Sequence, residues 1–137
     1  MNYLLDTNIF IFLIDKNYQR LSKNQLEVID NTDNRLFISE ASFFEIAIKI
    51  RLEKVNFNYI QMTDVEIFRK KIGIKTIKST FEHYENLTSI PKILKKDGKP
   101  HADPFDLLII STAQTGNLSV LSSDEYFPLY SIIKTIE

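Results

Sequence analysis

The sequence predicts an α/β fold, a three-layer sandwich with a central, mostly parallel sheet flanked by helices. Three observations carry this. Short β-compatible apolar runs, among them Tyr3-Leu4-Leu5, Leu36-Phe37-Ile38 and Ser119-Val120-Leu121, alternate with longer segments of helical spacing. Acidic residues recur where strands give way to helices or turns. The 137 residues contain no Pro/Gly/Ser-rich linker, internal repeat or low-complexity tract, so one domain spanning 1–137 is expected.

The first strand covers Tyr3 to Leu5, and Asp6-Thr7-Asn8 offers helix-capping chemistry before the apolar stretch Ile9 to Ile14. Ser22 can cap a second helix that buries Leu26 and Ile29, and Asn31-Thr32-Asp33-Asn34 closes it with turn formers. After the second strand, Leu36 to Ile38, the positions Ala41, Phe44, Ile48 and Leu52 recur at helical spacing and predict a long helix from Ser39 to Leu52. Residues 56–62 read as irregular. Asp64 is the expected cap of a helix running to Lys71 and ended by Gly73, and Lys75-Thr76-Ile77 is the third strand. A helix over Thr80 to Leu87 precedes a lysine-rich loop from Ile90 to Ala102. Asp103-Pro104 is a cap followed by proline at the first helical position, opening a mostly buried helix that ends near Gly116. Ser119 to Leu121 is the fourth strand and Ile132-Ile133 the expected fifth.

Composition narrows the chemistry. With no cysteine, thiolate metal sites are excluded, and two histidines, His83 and His101, are too few for an imidazole-based zinc site. Any bound metal must be held by oxygen. The net charge of −1 argues against a global field for non-specific nucleic-acid binding. Local basic groups exist at Lys49, Arg51 and Lys54, at Arg69, Lys70 and Lys71, and at Lys92, Lys95, Lys96 and Lys99, each readable as a solvated face. No basic leader precedes Tyr3, and Ile9 to Ile14 is too short to span a bilayer, so a cytoplasmic protein with no membrane association is expected.

Four acids, Asp6, Glu45, Asp106 and Asp124, lie beside apolar runs expected to be buried. In a parallel sheet, ligands bind in the crevice at the carboxyl ends of the strands, which is where these acids are expected. Carboxylates gathered there suffer raised pKa values or recruit a cation, and an oxygen-only set suits Mg²⁺ or Mn²⁺. Each has a plainer explanation taken singly. Asp6 can cap the first helix, Ser42 and Glu45 fit a capping box, Asp106 can complement a helix dipole, and Asp124 can start a turn. Asp103 is best explained as the cap before Pro104. His101 reads as a loop histidine rather than a ligand, and Phe10, Phe12, Phe43 and Phe44 as core residues. Coincident capping does not explain acids at one sheet edge after several different strands.

The stretches YLLDTNIF at 3–10, SEASFFEIAIKI at 39–50, HADPFDLLIISTA at 101–113 and LSSDEYF at 121–127 together resemble the PIN-domain proteins. They are closely similar to the VapC-type toxins of bacterial toxin–antitoxin pairs, over essentially the whole chain. The resemblance implies a PIN-like sandwich with Asp6, Glu45, Asp106 and Asp124 as both catalytic and metal-binding residues. It implies supporting polar roles for Thr7, Asn8 and Ser122, with Asp103 beside them, and Ser39 and Lys49 match positions common in this subgroup. The chain departs from the usual pattern at Leu107, where a basic residue is common, and at Ser122, where threonine is frequent.

The activity implied is that of a Mg²⁺- or Mn²⁺-dependent endoribonuclease leaving a 5′-phosphate and a 3′-hydroxyl. The implied partners are an RNA substrate, a VapB-like antitoxin protein and a second copy in a homodimer, with 57–99 as the exposed region for contacts. Two other readings compete. A haloacid-dehalogenase-type phosphatase would need a second Asp two residues after Asp6, where this chain has Asn8. A non-catalytic PIN-fold module that only binds RNA or protein would not require all four acids.

Overall fold

The computed structural model describes residues 1–54 and 60–137. In chain order the elements are β1 (Asn2–Leu5), α1 (Thr7–Ile14), α2 (Lys23–Asp30), β2 (Arg35–Ser39), α3 (Glu40–Arg51), α4 (Met62–Ile72), β3 (Lys75–Ile77), α5 (Phe81–Leu87), α6 (Pro104–Gly116), β4 (Ser119–Leu121) and β5 (Thr135–Ile136). Short 3-10 turns lie at Tyr18–Arg20 and Phe127–Leu129. The strands form one sheet in the order β3-β2-β1-β4-β5, with every neighbouring pair parallel. The chain winds outward from β1 through β2 to β3, then returns to the other side of β1 for β4 and β5. The order therefore reverses between β1 and β4, the position at which a doubly wound sheet opens a crevice.

Alternation along the strands divides the core into two layers. Tyr3, Leu5, Ile38 and Leu121 face one cluster, built with Ile9, Phe10 and Leu13 of α1, Ile46 of α3 and Val65 of α4. Leu4 and Val120 face the other, which is completed by Ile109, Ile110 and Ala113 of α6 and by Phe127 and Tyr130. Both faces of β1 are thus covered, which explains its uninterrupted apolar run.

The helices begin where local chemistry allows. Asp6, Ser22, Ser39 and Asp103 cap α1, α2, α3 and α6 through their side chains, and Ser22 and Gln25 complete a reciprocal capping box. Gly73 adopts φ 77° to close α4, a left-handed conformation that glycine enters without Cβ strain.

Several expectations are corrected. The fifth strand is Thr135–Ile136 rather than Ile132-Ile133, whose side chains instead pack against the α6 cluster. Asp64 lies in the first turn of α4, two residues inside its start, and the cap position belongs to Gln61. The inward positions of α3 are Ala41, Ser42 and Ile46, whereas Phe44 is 63% exposed and Leu52 54% exposed. This helix is apolar on nearly every side, so spacing alone could not select its buried face. Phe10 is fully buried as expected, while Phe12 and Phe43 are only partly buried. The irregular stretch expected over 56–62 lies largely outside the described residues, and Met62 already belongs to α4. Among the described residues no helix is long and apolar enough to cross a membrane.

Candidate metal centre

The end of β1 and the end of β4 are locked together at the switch point. The Asp6 main-chain N–H donates to the Leu121 carbonyl at 2.9 Å, and Ser122 Oγ donates to Asp6 Oδ2 at 2.8 Å. The other oxygen, Oδ1, accepts from the Thr7 N–H at 2.7 Å. Ser122 Oγ also accepts from the Asp124 N–H at 3.0 Å, so one buried hydroxyl stands between two of the acids. The Asp124 carboxylate is held in turn by the Tyr126 N–H, 2.7 Å from Oδ1.

Asp6 is 4% exposed. Burial pushes its carboxyl up to about 6 despite the lowering effect of its two hydrogen bonds, with Glu45 and Asp124 adding repulsion. Asp106, in the first turn of α6, is pushed up to about 8. Burial is the largest cause, followed by the charges of Asp103, Asp6, Asp124 and Glu45. The four predicted acids are therefore within electrostatic reach of one another although they come from four separate segments. Glu45 projects from α3 and pairs with Lys49 Nζ at 3.1 Å.

The remaining predicted residues have distinct places. Thr7 Oγ1 donates to Ser42 Oγ at 2.9 Å, tying the start of α1 to α3 one turn before Glu45. Asp103 Oδ1 accepts from the N–H groups of Phe105 and Asp106, both at 3.0 Å, so it caps α6 and anchors the backbone of Asp106. Ser39 caps α3. Asn8 is exposed.

Sequence reasoning missed His101. It lies in a loop as expected, but it is buried, with Nε2 3.0 Å from Asp106 Oδ2 and Nδ1 2.7 Å from the Tyr130 hydroxyl. The available signal was its place two residues before Asp103-Pro104, in a motif already suspected. Ser42 was also missed as a tether, and a lone polar residue in the apolar run Ala41 to Phe44 was its signal.

The donor chemistry fits a hard divalent cation: carboxylate oxygens only, in a crevice where desolvation and mutual repulsion already oppose their ionisation. It is not a closed cage. Among the described residues no group of three His, Asp or Glu is drawn together into a ready-made metal cage.

A family model described as the PIN domain matches residues 3–132, a span that contains all four acids, all but the first residue of β1, and the strands β2 to β4. The chain belongs to the PIN-domain family. No curated protein matches it in sequence. Its PIN fold is shared with several solved structures at low identity. The structure of VapBC2 from Rickettsia felis bound to a promoter DNA fragment aligns at TM-score 0.67 and 22% identity, covering 99% of this chain and 98% of that one. DNA-bound VapBC from Salmonella typhimurium aligns at 0.65 and 18%, with 99% and 97% covered. VapBC-1 from nontypeable Haemophilus influenzae aligns at 0.63 and 21%, with 100% and 98% covered.

Between α3, α5 and the start of α6 runs an apolar groove of about 380 Å³, lined by Phe44, Tyr84, Leu87, Pro104 and Phe105 among others. The Phe44 and Phe105 rings meet edge to face at 5.7 Å. Phe44 precedes Glu45 and Phe105 precedes Asp106, so the helices that carry two of the acids also present this hydrophobic surface.

Proposed function

We propose that this PIN domain is a VapC-type toxin, a Mg²⁺- or Mn²⁺-dependent endoribonuclease that hydrolyses RNA phosphodiester bonds. The observation that carries this reading is the gathering of Asp6, Glu45, Asp106 and Asp124 at the switch point, with the pKa values of Asp6 and Asp106 raised. Acids held at such a cost to their ionisation are functional-site candidates.

A divalent ion bound there would supply a lowered pKa for attacking water and neutralise charge developing on the phosphate. The chain's own residues do the rest. Ser122 and the Thr7 N–H hold Asp6 in one orientation, Asp103 fixes the backbone of Asp106, and the Thr7–Ser42 bond ties α1 to α3 one turn before Glu45. Lys49, within 3.1 Å of Glu45, places a positive charge at the rim where an anionic backbone must enter. From the loop between Ile90 and Ala102, Lys96 pairs with Glu125 beside Asp124 at 3.1 Å and adds a second cation.

A VapB-like antitoxin and a second copy of the chain are the proposed protein partners. The apolar groove supports the first, because two of its lining rings, Phe44 and Phe105, are the chain neighbours of Glu45 and Asp106. It draws on Tyr84 and Leu87 from the 57–99 region and equally on Phe44 and Phe105 outside it.

The test is cleavage of total cellular RNA by purified protein with Mg²⁺ or Mn²⁺, against EDTA and an Asp6→Asn, Asp106→Asn double variant. Metal-dependent cutting at discrete sites, lost in the variant, supports the nuclease. RNA binding without cleavage by folded, metal-loaded protein would overturn it in favour of a binding module.

A further inference from the structure

We propose that His101 is a positioning residue of the acidic centre, holding the Asp106 carboxylate through Nε2 while its stacked partner Tyr126 holds Asp124. The proposal deepens the reading above and rests on Asp106 belonging to the site. It stands on four contacts. His101 Nε2 lies 3.0 Å from Asp106 Oδ2, and its Nδ1 lies 2.7 Å from the hydroxyl of Tyr130, a residue 1% exposed. The imidazole stacks on the Tyr126 ring with centroids 5.1 Å apart and planes 24° from parallel. The His101 main-chain N–H donates to the Ile93 carbonyl at 2.7 Å, so the backbone is pinned as well.

These contacts leave the ring little freedom. When Asp106 is ionised, as a carboxylate that holds an ion is, it is an acceptor only, so Nε2 then carries the proton and donates to it, and Nδ1 accepts from the Tyr130 O–H. Tyr130 thereby selects the tautomer that Asp106 needs. With Oδ2 engaged, Oδ1 accepts no hydrogen bond from a described side chain and is the oxygen left for an ion.

The stack links this arrangement to a second acid. Tyr126 lies against His101 by its ring and donates its main-chain N–H to Asp124 Oδ1. One imidazole–phenol pair thus sets the relative places of two carboxylates from α6 and from the turn after β4. Groups that orient a metal's carboxylate ligands by hydrogen bonding typically change affinity by about 10–100-fold when removed. Purely packing residues need not.

The experiment measures Mn²⁺ affinity by titration calorimetry on full-length metal-free protein, with the thermal melt of each variant as a check of folding. The variants are His101→Leu, His101→Gln, Tyr130→Phe and Asp106→Asn. We expect His101→Leu to weaken Mn²⁺ binding by about 10–100-fold. His101→Gln, whose side-chain amide can donate from near the Nε2 position, should recover most of that loss. Tyr130→Phe, which removes one hydroxyl and keeps the ring, should fall between wild type and leucine, and it decides the question if the leucine variant does not fold. Unchanged affinity in folded His101→Leu or in Tyr130→Phe, with Asp106→Asn still deficient, overturns the positioning role and leaves the metal centre standing. Equal affinity in wild type and Asp106→Asn removes the metal reading of Asp106, and the proposal with it.

Discussion

At the scale of single residues, the centre is governed by how each carboxylate is held. Asp6 and Asp106 have folded pKa values raised from an ordinary 3.8, to about 6 and about 8. A raised acid binds more protons folded than unfolded, so its contribution to stability is full below about pH 4 and is lost as pH rises through the folded value. The melting temperature of metal-free protein should therefore fall between pH 4 and pH 8. Asp106→Asn should melt above wild type at pH 8 by something of order 5 °C, the shift that about 1 kcal/mol makes in a domain of this size. Scanning calorimetry across that range checks both, and a melting temperature that climbs steadily to pH 8 would contradict them. Ser122→Ala should act oppositely at neutral pH, because it strips the donor from Asp6 Oδ2 and the acceptor from the Asp124 N–H. A loss of about 1–3 kcal/mol is expected, together with slower cleavage, measurable by denaturant unfolding and a single-turnover assay.

At the scale of elements, the sheet edge and the helix starts do two tasks with the same residues. Asp6 caps α1 and faces the crevice, and Asp103 caps α6 while fixing the Asp106 backbone. Capping therefore accounted for these acids correctly without accounting for all they do. Asp103→Ala should cost about 1 kcal/mol through loss of the cap. It should also lower the Asp106 pKa, because Asp103 is the foremost charge raising it. Carbon-13 NMR of the Asp106 carboxyl would register the shift, and no change would break the link between cap and centre. Local chemistry at Asp6, Ser22 and Asp103 was legible because a cap depends on neighbours within three residues, whereas Ser39, read as the first helical residue, is the cap of α3. The inward face of α3 was not, because Phe43, Phe44, Ile46, Ala47 and Ile48 offer apolar surface all round and only the sheet beneath decides which of them it covers.

At the scale of the whole molecule, the switch point between β1 and β4 gathers acids that are 39, 61 and 18 residues apart in the chain (6 to 45, 45 to 106, 106 to 124). Metal binding should therefore stabilise the fold as a unit. Mn²⁺ should raise the melting temperature more at pH 8 than at pH 5.5, since an ion must displace protons from Asp6 and Asp106 to bind. An equal increment at both pH values would place the ion elsewhere. The apolar groove makes a separate prediction. Tyr84→Glu, at a position 52% exposed, should leave the melt and RNA cleavage unchanged while weakening association with a co-expressed antitoxin, read by co-purification.

The sequence by itself determined the alternation of strands and helices and the caps at Asp6, Ser22 and Asp103, because these are written in periodicity and in contacts only a few positions long, and it singled out the four candidate acids. It also placed Ser122 beside the last acid, where the structure finds its hydroxyl bonded to Asp6. Only the tertiary structure decided that Thr135–Ile136 forms the fifth strand, that Phe44 faces outward and that His101 is buried against Asp106. Those outcomes depend on residues brought together from distant parts of the chain: Tyr126 and Tyr130 lie 25 and 29 positions after the histidine they hold. Such a contact leaves no periodic trace, and the packed core is what makes it.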